Sequence, residues 1–366
     1  MIPHTFGESG PFSLGVEEEL MILDAGSLDQ VAAVDRILAG VAGLDLPGEL
    51  KTELFASVFE TATQVCADAC EVEEALRVLR RAAAAAAAEE GLAVAAAGTH
   101  PFARAEEQAV VGEERYAALK RYGGISVRRQ GVQGLHVHVG MPSGEDCWRC
   151  LEAILPWLPV VLALSANSPW LAGERTGMAS NRAPVLLLLP RAGGPPAFAG
   201  YAEWESWVER LVRLGVAQDY TRLWWDVRPH PRFGTLEVRI PDQPTDVALS
   251  AAFAALLQAL CAAALEGALP GDSLVPPHRG RGDYVQNRWA AASFGPRAEL
   301  LHPDGASIAP AAELGDELLE RVRPFGVSLG SAALLDRIAT GECEADRQGF
   351  PTALEATADV VARSVA

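Results

Sequence analysis

The chain has 366 residues, 49% hydrophobic and 21% charged, the composition of an ordinary folded protein rather than a disordered one. Its 30 basic residues face 48 acidic ones, a formal charge of −18. That balance argues against nucleic acid or an anionic membrane as partner, since both require a basic footprint, but it leaves room for a small anionic substrate held by a few arginines.

No segment reads as membrane-spanning, because the longest apolar stretch, near residues 154–166, is short and contains Pro156 and Pro159. The first residues lack a basic region followed by an apolar core, so they do not read as a signal peptide, and cytoplasmic residence is the expectation. Of the six cysteines, Cys147 and Cys150 form a CxxC, and Cys66 and Cys70 lie four apart. A zinc site from these pairs competes with reduced, helix-packed thiols. The second reading is preferred, because Cys147–Cys150 falls in a predicted helix with no Gly/Pro-rich knuckle.

In chain order, residues 13–23 read as a strand, 30–41 as a helix, and 49–65 largely as strand. Residues 67–91 form a long helix that includes the seven-alanine run 82–88 and stops at Gly91. A short strand at 92–97, a helix at 113–121 and a second polar-alternating strand at 133–141 follow. An apolar helix covers 146–166, a Gly- and Pro-punctuated loop 167–182, and a core-packing helix 201–214. Two strands, 224–228 and 235–240, precede an Ala/Leu helix from about 245 to 265. Residues 270–282 read as a linker or lid, with a helix near 284–293 and a helical remainder. The pattern predicts an α+β fold with a mainly antiparallel sheet in a single domain spanning 1–366.

Three predicted strands each place two ligand-type side chains at i and i+2: Glu17/Glu19, His136/His138 and Glu237/Arg239. Side chains alternate along a strand, so each pair shares a face, and Glu18 points away from Glu17 and Glu19. Like charges on one face of a half-buried strand repel, and a hard divalent cation removes the conflict by taking carboxylate oxygens. Glu53 and Glu60 on a fourth candidate strand add to the set, and carboxylates with one or two imidazoles suit Mg²⁺ or Mn²⁺ better than zinc. Such a cluster clamps phosphate oxygens in phosphoryl transfer. Arg239, Arg182 and Arg228 are candidate recognition groups for carboxylate or phosphate. There is no GxxxxGK[ST], no GxGxxG after a strand and no legible Ser/His/Asp triad.

The motifs Gly15-Val16-Glu17-Glu18-Glu19-Leu20, Gly134-Leu135-His136-Val137-His138-Val139-Gly140, Asn167-Ser168-Pro169, Thr176-Gly177-x-Ala179-Ser180-x-Arg182, Trp224-Trp225-Asp226-Val227-Arg228-Pro229, Gly234-Thr235-x-Glu237-Val238-Arg239 and Asn287-Arg288-Trp289 occur in this order. Together they resemble the bacterial type 2 glutamate–cysteine ligase-like family, the carboxylate–amine ligases. Two of them are similar to motifs of glutamine synthetase. The resemblance implies a glutamine-synthetase-like fold, an antiparallel sheet forming a funnel for ATP and two or three Mg²⁺ or Mn²⁺ ions. It implies metal ligation by Glu17, Glu19, Glu53, Glu60, His136 and Glu237, contact of His138 with the ATP phosphates, and contact of Arg239 with the acyl-donor carboxylate or transferring phosphoryl group. Arg182 and Arg228 are implied in the surrounding substrate and phosphate shell. The implied reaction joins a carboxylate, glutamate in the family's name, to an amine through an acyl phosphate, and the fold family commonly self-associates.

The chain departs from the family pattern at Ser293, where an arginine is usual, at Arg175, where an aspartate is common, and at Asn181, where an aromatic is common. These departures leave the carboxylate and amine open. A metal-dependent amidohydrolase and a non-catalytic binding protein on the same sheet are the competing readings. The first leaves Arg239 and the number of glutamates unexplained, and the second expects a lost ligand that is not seen.

Overall fold

A computed structural model describes residues 1–269 and 277–365. Seven strands form the main sheet: β1 (Leu14–Asp24), β2 (Gly48–Thr52), β3 (Val58–Thr63), β4 (Leu92–Ala95), β5 (Leu135–Gly140), β6 (Val227–His230) and β7 (Thr235–Val238). All neighbours are antiparallel, in the order β6-β7-β5-β1-β3-β2. The 11-residue β1 is central: its first half pairs with β5 and its last four residues with β4. The α+β class and the antiparallel sheet are as the sequence predicts.

The longer helices are α1 (Val34–Val41), α2 (Ala69–Glu89), α3 (Glu114–Gly123), α4 (Gly144–Ile154), α5 (Leu158–Ser165), α6 (Tyr201–Arg213), α7 (Val247–Leu265), α8 (Pro277–Phe294), α9 (Ala311–Ser328) and α10 (Ala353–Ser364). Several bounds differ from expectation for local reasons. The predicted 49–65 strand is two strands joined by a loop that carries Glu53. The apolar 146–166 helix is interrupted between α4 and α5 at Leu155–Trp157, where Pro156 removes a backbone donor. Residues 270–276 of the expected linker lie outside the described residues, and from Pro277 onward the chain is helix α8. Gly144–Ser165 and Val247–Leu265 are, contrary to the sequence reading, long and apolar enough to cross a bilayer. In the fold those windows are 83% and 89% buried against the protein's own core.

Strand β1 divides its side chains cleanly. Leu14, Val16, Leu20 and Ile22 are buried toward α1, α2 and α7. The alanine run lets α1 approach α2 closely, since a Cβ on Gly40 would lie 2.7 Å from Ala86 Cβ. Glu18 shares the apolar face and is fully buried. Its carboxylate accepts both arms of Arg80 from α2 at 2.8 and 2.6 Å, the Ser250 hydroxyl at 2.5 Å and the Gln243 amide at 3.0 Å. Arg80 also donates to the carbonyls of Pro244, Thr245 and Ser364, which ties β1 to the segment after β7 and to the end of α10. All six cysteines are free thiols, and five of them are buried.

A buried ion pair that loses one partner leaves an uncompensated charge, at a cost of about 3–5 kcal/mol. Arg80→Met should therefore lower the unfolding free energy by about that amount in urea titrations. A loss below about 1 kcal/mol would show that the pair does not anchor the strand.

Candidate active site

The face of β1 opposite Glu18 carries Gly15, Glu17 and Glu19, and the sheet register extends it sideways. Glu17 lies opposite His136 on β5, and Glu19 lies opposite Glu60 on β3, which in turn faces Lys51 on β2. On the other side Glu237 of β7 lies between His138 of β5 and Arg228 of β6. The i/i+2 pairs of separate strands thus meet on one concave face.

Glu17 is the hub. Its Oε2 is 3.4 Å from His136 Nδ1 and 3.9 Å from His138 Nε2, and its Oε1 accepts from Lys51 Nζ at 3.2 Å. His136 Nε2 is 3.8 Å from Glu19 Oε1. His138 Nδ1 is held 2.9 Å from the Thr235 hydroxyl. Arg239 contacts Glu237 directly and reaches within 3.5 Å of His136 Nδ1. Glu53 enters from the loop after β2, with Tyr116 donating to its Oε2 at 3.4 Å. Lys51 Nζ is 2.7 Å from Glu60 Oε1, off the line of a hydrogen bond, so that buried oxygen has an ionic neighbour but no hydrogen-bond donor.

The structure rearranges three expectations. His138, rather than His136, stands with Glu237: ligand atoms of Glu17, His138 and Glu237 all lie within 4.8 Å of one another, because His138 is the residue directly across from Glu237. Arg228 is committed beneath Glu237, donating from Nε at 2.6 Å and Nη2 at 3.1 Å, and from Nη1 to the Thr221 and Leu223 carbonyls. Its donors are thus taken by Glu237 and by two backbone carbonyls. Arg182 is buried behind the strand, donating to the Arg239 and Ile240 carbonyls at 2.8 and 3.1 Å. Its guanidinium passes over Gly134, where a Cβ would lie 2.1 Å from Nη2, so it positions Arg239 from behind.

Burial and like charge shape the protonation of this face. Burial and the charge of Glu53 push the Glu19 carboxyl up to about 7. Burial raises Glu53, and burial with the charge of Glu17 raises Glu60 well above the usual range. Burial also works upward on Glu17 and Glu237, but hydrogen bonds from the two histidines outweigh it at Glu17, and the charges of Arg228 and Arg239 outweigh it at Glu237. Both stay well below the usual carboxylate value. Burial and the Arg239 charge bring His136 down to about 3, which leaves a neutral imidazole with a lone pair to offer. Carboxylates that burial pushes toward protonation, gathered beside a neutral imidazole, make a donor set that fits a hard divalent cation.

Beside Glu17 and His138 opens a cavity of about 470 Å³, also lined by Gly15, Val16, Thr63, Arg232 and Phe233. Phe233 is 48% exposed there. The sequence reading missed Lys51, which the alternation Glu49-Lys51-Glu53 could have placed beside the carboxylates. It also missed Asp226, which accepts Arg288 and Tyr284 of α8 at 2.7 Å while its carbonyl accepts from Arg239 N. That contact joins the Asn287-Arg288-Trp289 motif to the site. No local signal reveals it, because the partners are 62 residues apart.

The antiparallel sheet thus gathers carboxylates, imidazoles and one reaching guanidinium on a single face, the site of a ligase. Residues 13–348 match the family described as glutamate-cysteine ligase family 2 (GCS2), and the chain belongs to it. A relative provisionally named glutamate–cysteine ligase 2-3, from Rubrobacter xylanophilus, is 41% identical over 350 residues, 94% of this chain and 93% of its own. A similarly named glutamate–cysteine ligase 2 of Herpetosiphon aurantiacus is 35% identical over 328 residues, 90% of this chain and 84% of its own. In fold, the chain is similar to the glutamate–cysteine ligase of Francisella tularensis in complex with AMP (TM-score 0.65, 13% identity, 99% of this chain and 90% of that one). It is also similar to part of a bifunctional glutathione synthetase of Pasteurella multocida (TM-score 0.67, 13% identity, 96% of this chain and 52% of that one). Family membership sets aside the amidohydrolase and scaffold readings.

Glu19 retains its proton in the fold up to about pH 7, whereas the ordinary carboxyl releases it near 4.5. In metal-free protein this group's contribution to stability therefore declines as pH rises from about 4.5 through 7. A divalent ion must displace that proton, so Mn²⁺ binding should release protons at pH 6 and few at pH 8. The measurement is calorimetry in two buffers of different ionisation enthalpy. Equal heats in both buffers at pH 6 would contradict the raised value.

Proposed function

We propose that this ligase activates a carboxylate, with glutamate as the donor, by taking the γ-phosphoryl group of ATP, and that an amine then displaces phosphate to form an amide. The single observation that carries the proposal is the shared face of Glu17, Glu19, Glu60, His136, His138, Glu237 and Arg239, which gathers anionic ligands and one reaching guanidinium around an open cavity.

The residues fit Mg²⁺ or Mn²⁺ in two neighbourhoods: Glu17, His138 and Glu237 in one, Glu19 and Glu53 with His136 in the other. Divalent ions held by these residues would neutralise phosphate charge. In the first step a substrate carboxylate oxygen bonds to the γ-phosphorus as the bond to the β,γ-bridging oxygen breaks, and ADP leaves with that electron pair. In the second, the amine nitrogen bonds to the acyl carbon as the carbon–oxygen bond to phosphate breaks, and the amine gives up a proton.

Arg239 offers its guanidinium to the transferring group, held by Glu237 in front and by Arg182 on its backbone. Arg228 keeps Glu237 ionised and fixed. The cavity beside Phe233 suits the nucleotide, lined by an aromatic ring that stacks on His230 and by Arg232, whose guanidinium lies over that ring. The Francisella glutamate–cysteine ligase, solved in complex with AMP, supports nucleotide use on this fold. Asn181 donates to the Ser168 carbonyl and the Thr176 hydroxyl, so its departure from the family pattern reshapes the 167–182 loop where substrate choice resides.

The test is ADP and phosphate release with glutamate and a panel of amines, using glutamate labelled with ¹⁸O in its side-chain carboxylate. Label should appear in the released phosphate, and its absence during turnover would exclude the acyl phosphate. Glu237→Gln should cut ADP formation by at least about 10²–10³-fold while leaving the circular dichroism unchanged. Full activity in a folded Glu237→Gln protein would sink the site assignment.

A further inference from the structure

We infer that the ammonium group of Lys51 occupies one cation position of the funnel, so that this chain takes two divalent ions where its carboxylates would otherwise hold three. The inference rests on the proposed reading of the face as a metal and ATP site, and it adds the number of ions and a role for Lys51.

The charges on the face sort by partner. Glu237 is paired twice, with Arg228 and Arg239. Glu17 and Glu60 share one cation, Lys51, whose Nζ lies 3.2 Å from the first and 2.7 Å from the second. Among the described residues, Glu19 and Glu53 have no lysine or arginine in ion-pair contact; Glu19 has His136 at 3.8 Å and Glu53 the Tyr116 hydroxyl. The space between Glu17 and Glu60, by contrast, is already filled by Lys51.

A divalent ion in that space would need carboxylate oxygens from both glutamates at roughly 2.0–2.6 Å, the place where the ammonium now lies. A divalent ion and the ammonium would compete for the same two carboxylate groups. Lys51 has the advantage of tethering. Its backbone is paired directly opposite Glu60, so bringing the charge there costs side-chain entropy but no translational entropy. Lys51 is thus a positioning residue that holds Glu17 toward Glu60 and leaves its other oxygen for His136 and His138.

The test is the stoichiometry of Mn²⁺ alone, read by electron paramagnetic resonance titration of the full chain at pH 8. The wild type should bind two ions, Lys51→Met three, and Lys51→Arg two, with circular dichroism confirming that each variant is folded. Three ions on the wild type would overturn the inference without any variant. A folded Lys51→Met protein that still binds two with unchanged affinity would overturn it as well. Failure of the wild type to bind any Mn²⁺ would remove both the inference and the metal-site reading beneath it, an outcome distinct from a count of three.

Discussion

The structure depends on the buried ion pair between Glu18 and Arg80. Three consecutive glutamates in an apolar strand could pair in two registers, one residue apart, and that slip would exchange every side chain between the core and the open face. Arg80 removes the ambiguity. Its guanidinium is fixed by Glu18 and by three carbonyls from the segment after β7 and the end of α10, so a single buried charge aligns β1 with two distant parts of the chain. Gln243 reinforces the alignment by bonding Glu18 with its amide nitrogen and the Glu19 backbone with its oxygen. With Glu18 held inward, Glu17 and Glu19 have only the open face to occupy.

On that face the protein supplies its own cations unevenly. Arg228 and Arg239 saturate Glu237, Lys51 bridges Glu17 and Glu60, and Glu19 and Glu53 are left to repel each other. Burial pushes Glu19, Glu53 and Glu60 toward protonation, and the set is preorganised for divalent charge. The arginines divide their labour by depth: Arg182 and Arg228 spend their donors on carbonyls and on Glu237, and only Arg239 presents its end to the site. Three arginines in similar motifs therefore do different work.

The supporting layers follow from packing. Helices α2 and α7 cover the apolar face of β1, and the alanine run of α2 is explained by the closeness of α1. Asp226 joins the β6 edge to α8, so the tail motif reaches the site through one carboxylate and the Arg239 backbone. The apolar length of α4 through α5 and of α7, which meets the requirement of a membrane span, is instead what a helix buried on nearly all sides of a core requires.

The period-two pattern of residues alone determined a great deal. It identified the strands around Glu17, His136 and Glu237, the shared faces of Glu17/Glu19, His136/His138 and Glu237/Arg239, and the opposite direction of Glu18, because alternation along a strand is a local property of the backbone. Ordered motifs carried the family. What the sequence could not decide is which pairs stand opposite each other: that His138 and not His136 meets Glu237, that Lys51 reaches Glu17 and Glu60, and that Arg228 is spent beneath a carboxylate. Those outcomes belong to strand register and to loop residues such as Glu53. Register is set by contacts between segments far apart in the chain, among them the buried reach of Arg80, and only the folded sheet brings them together.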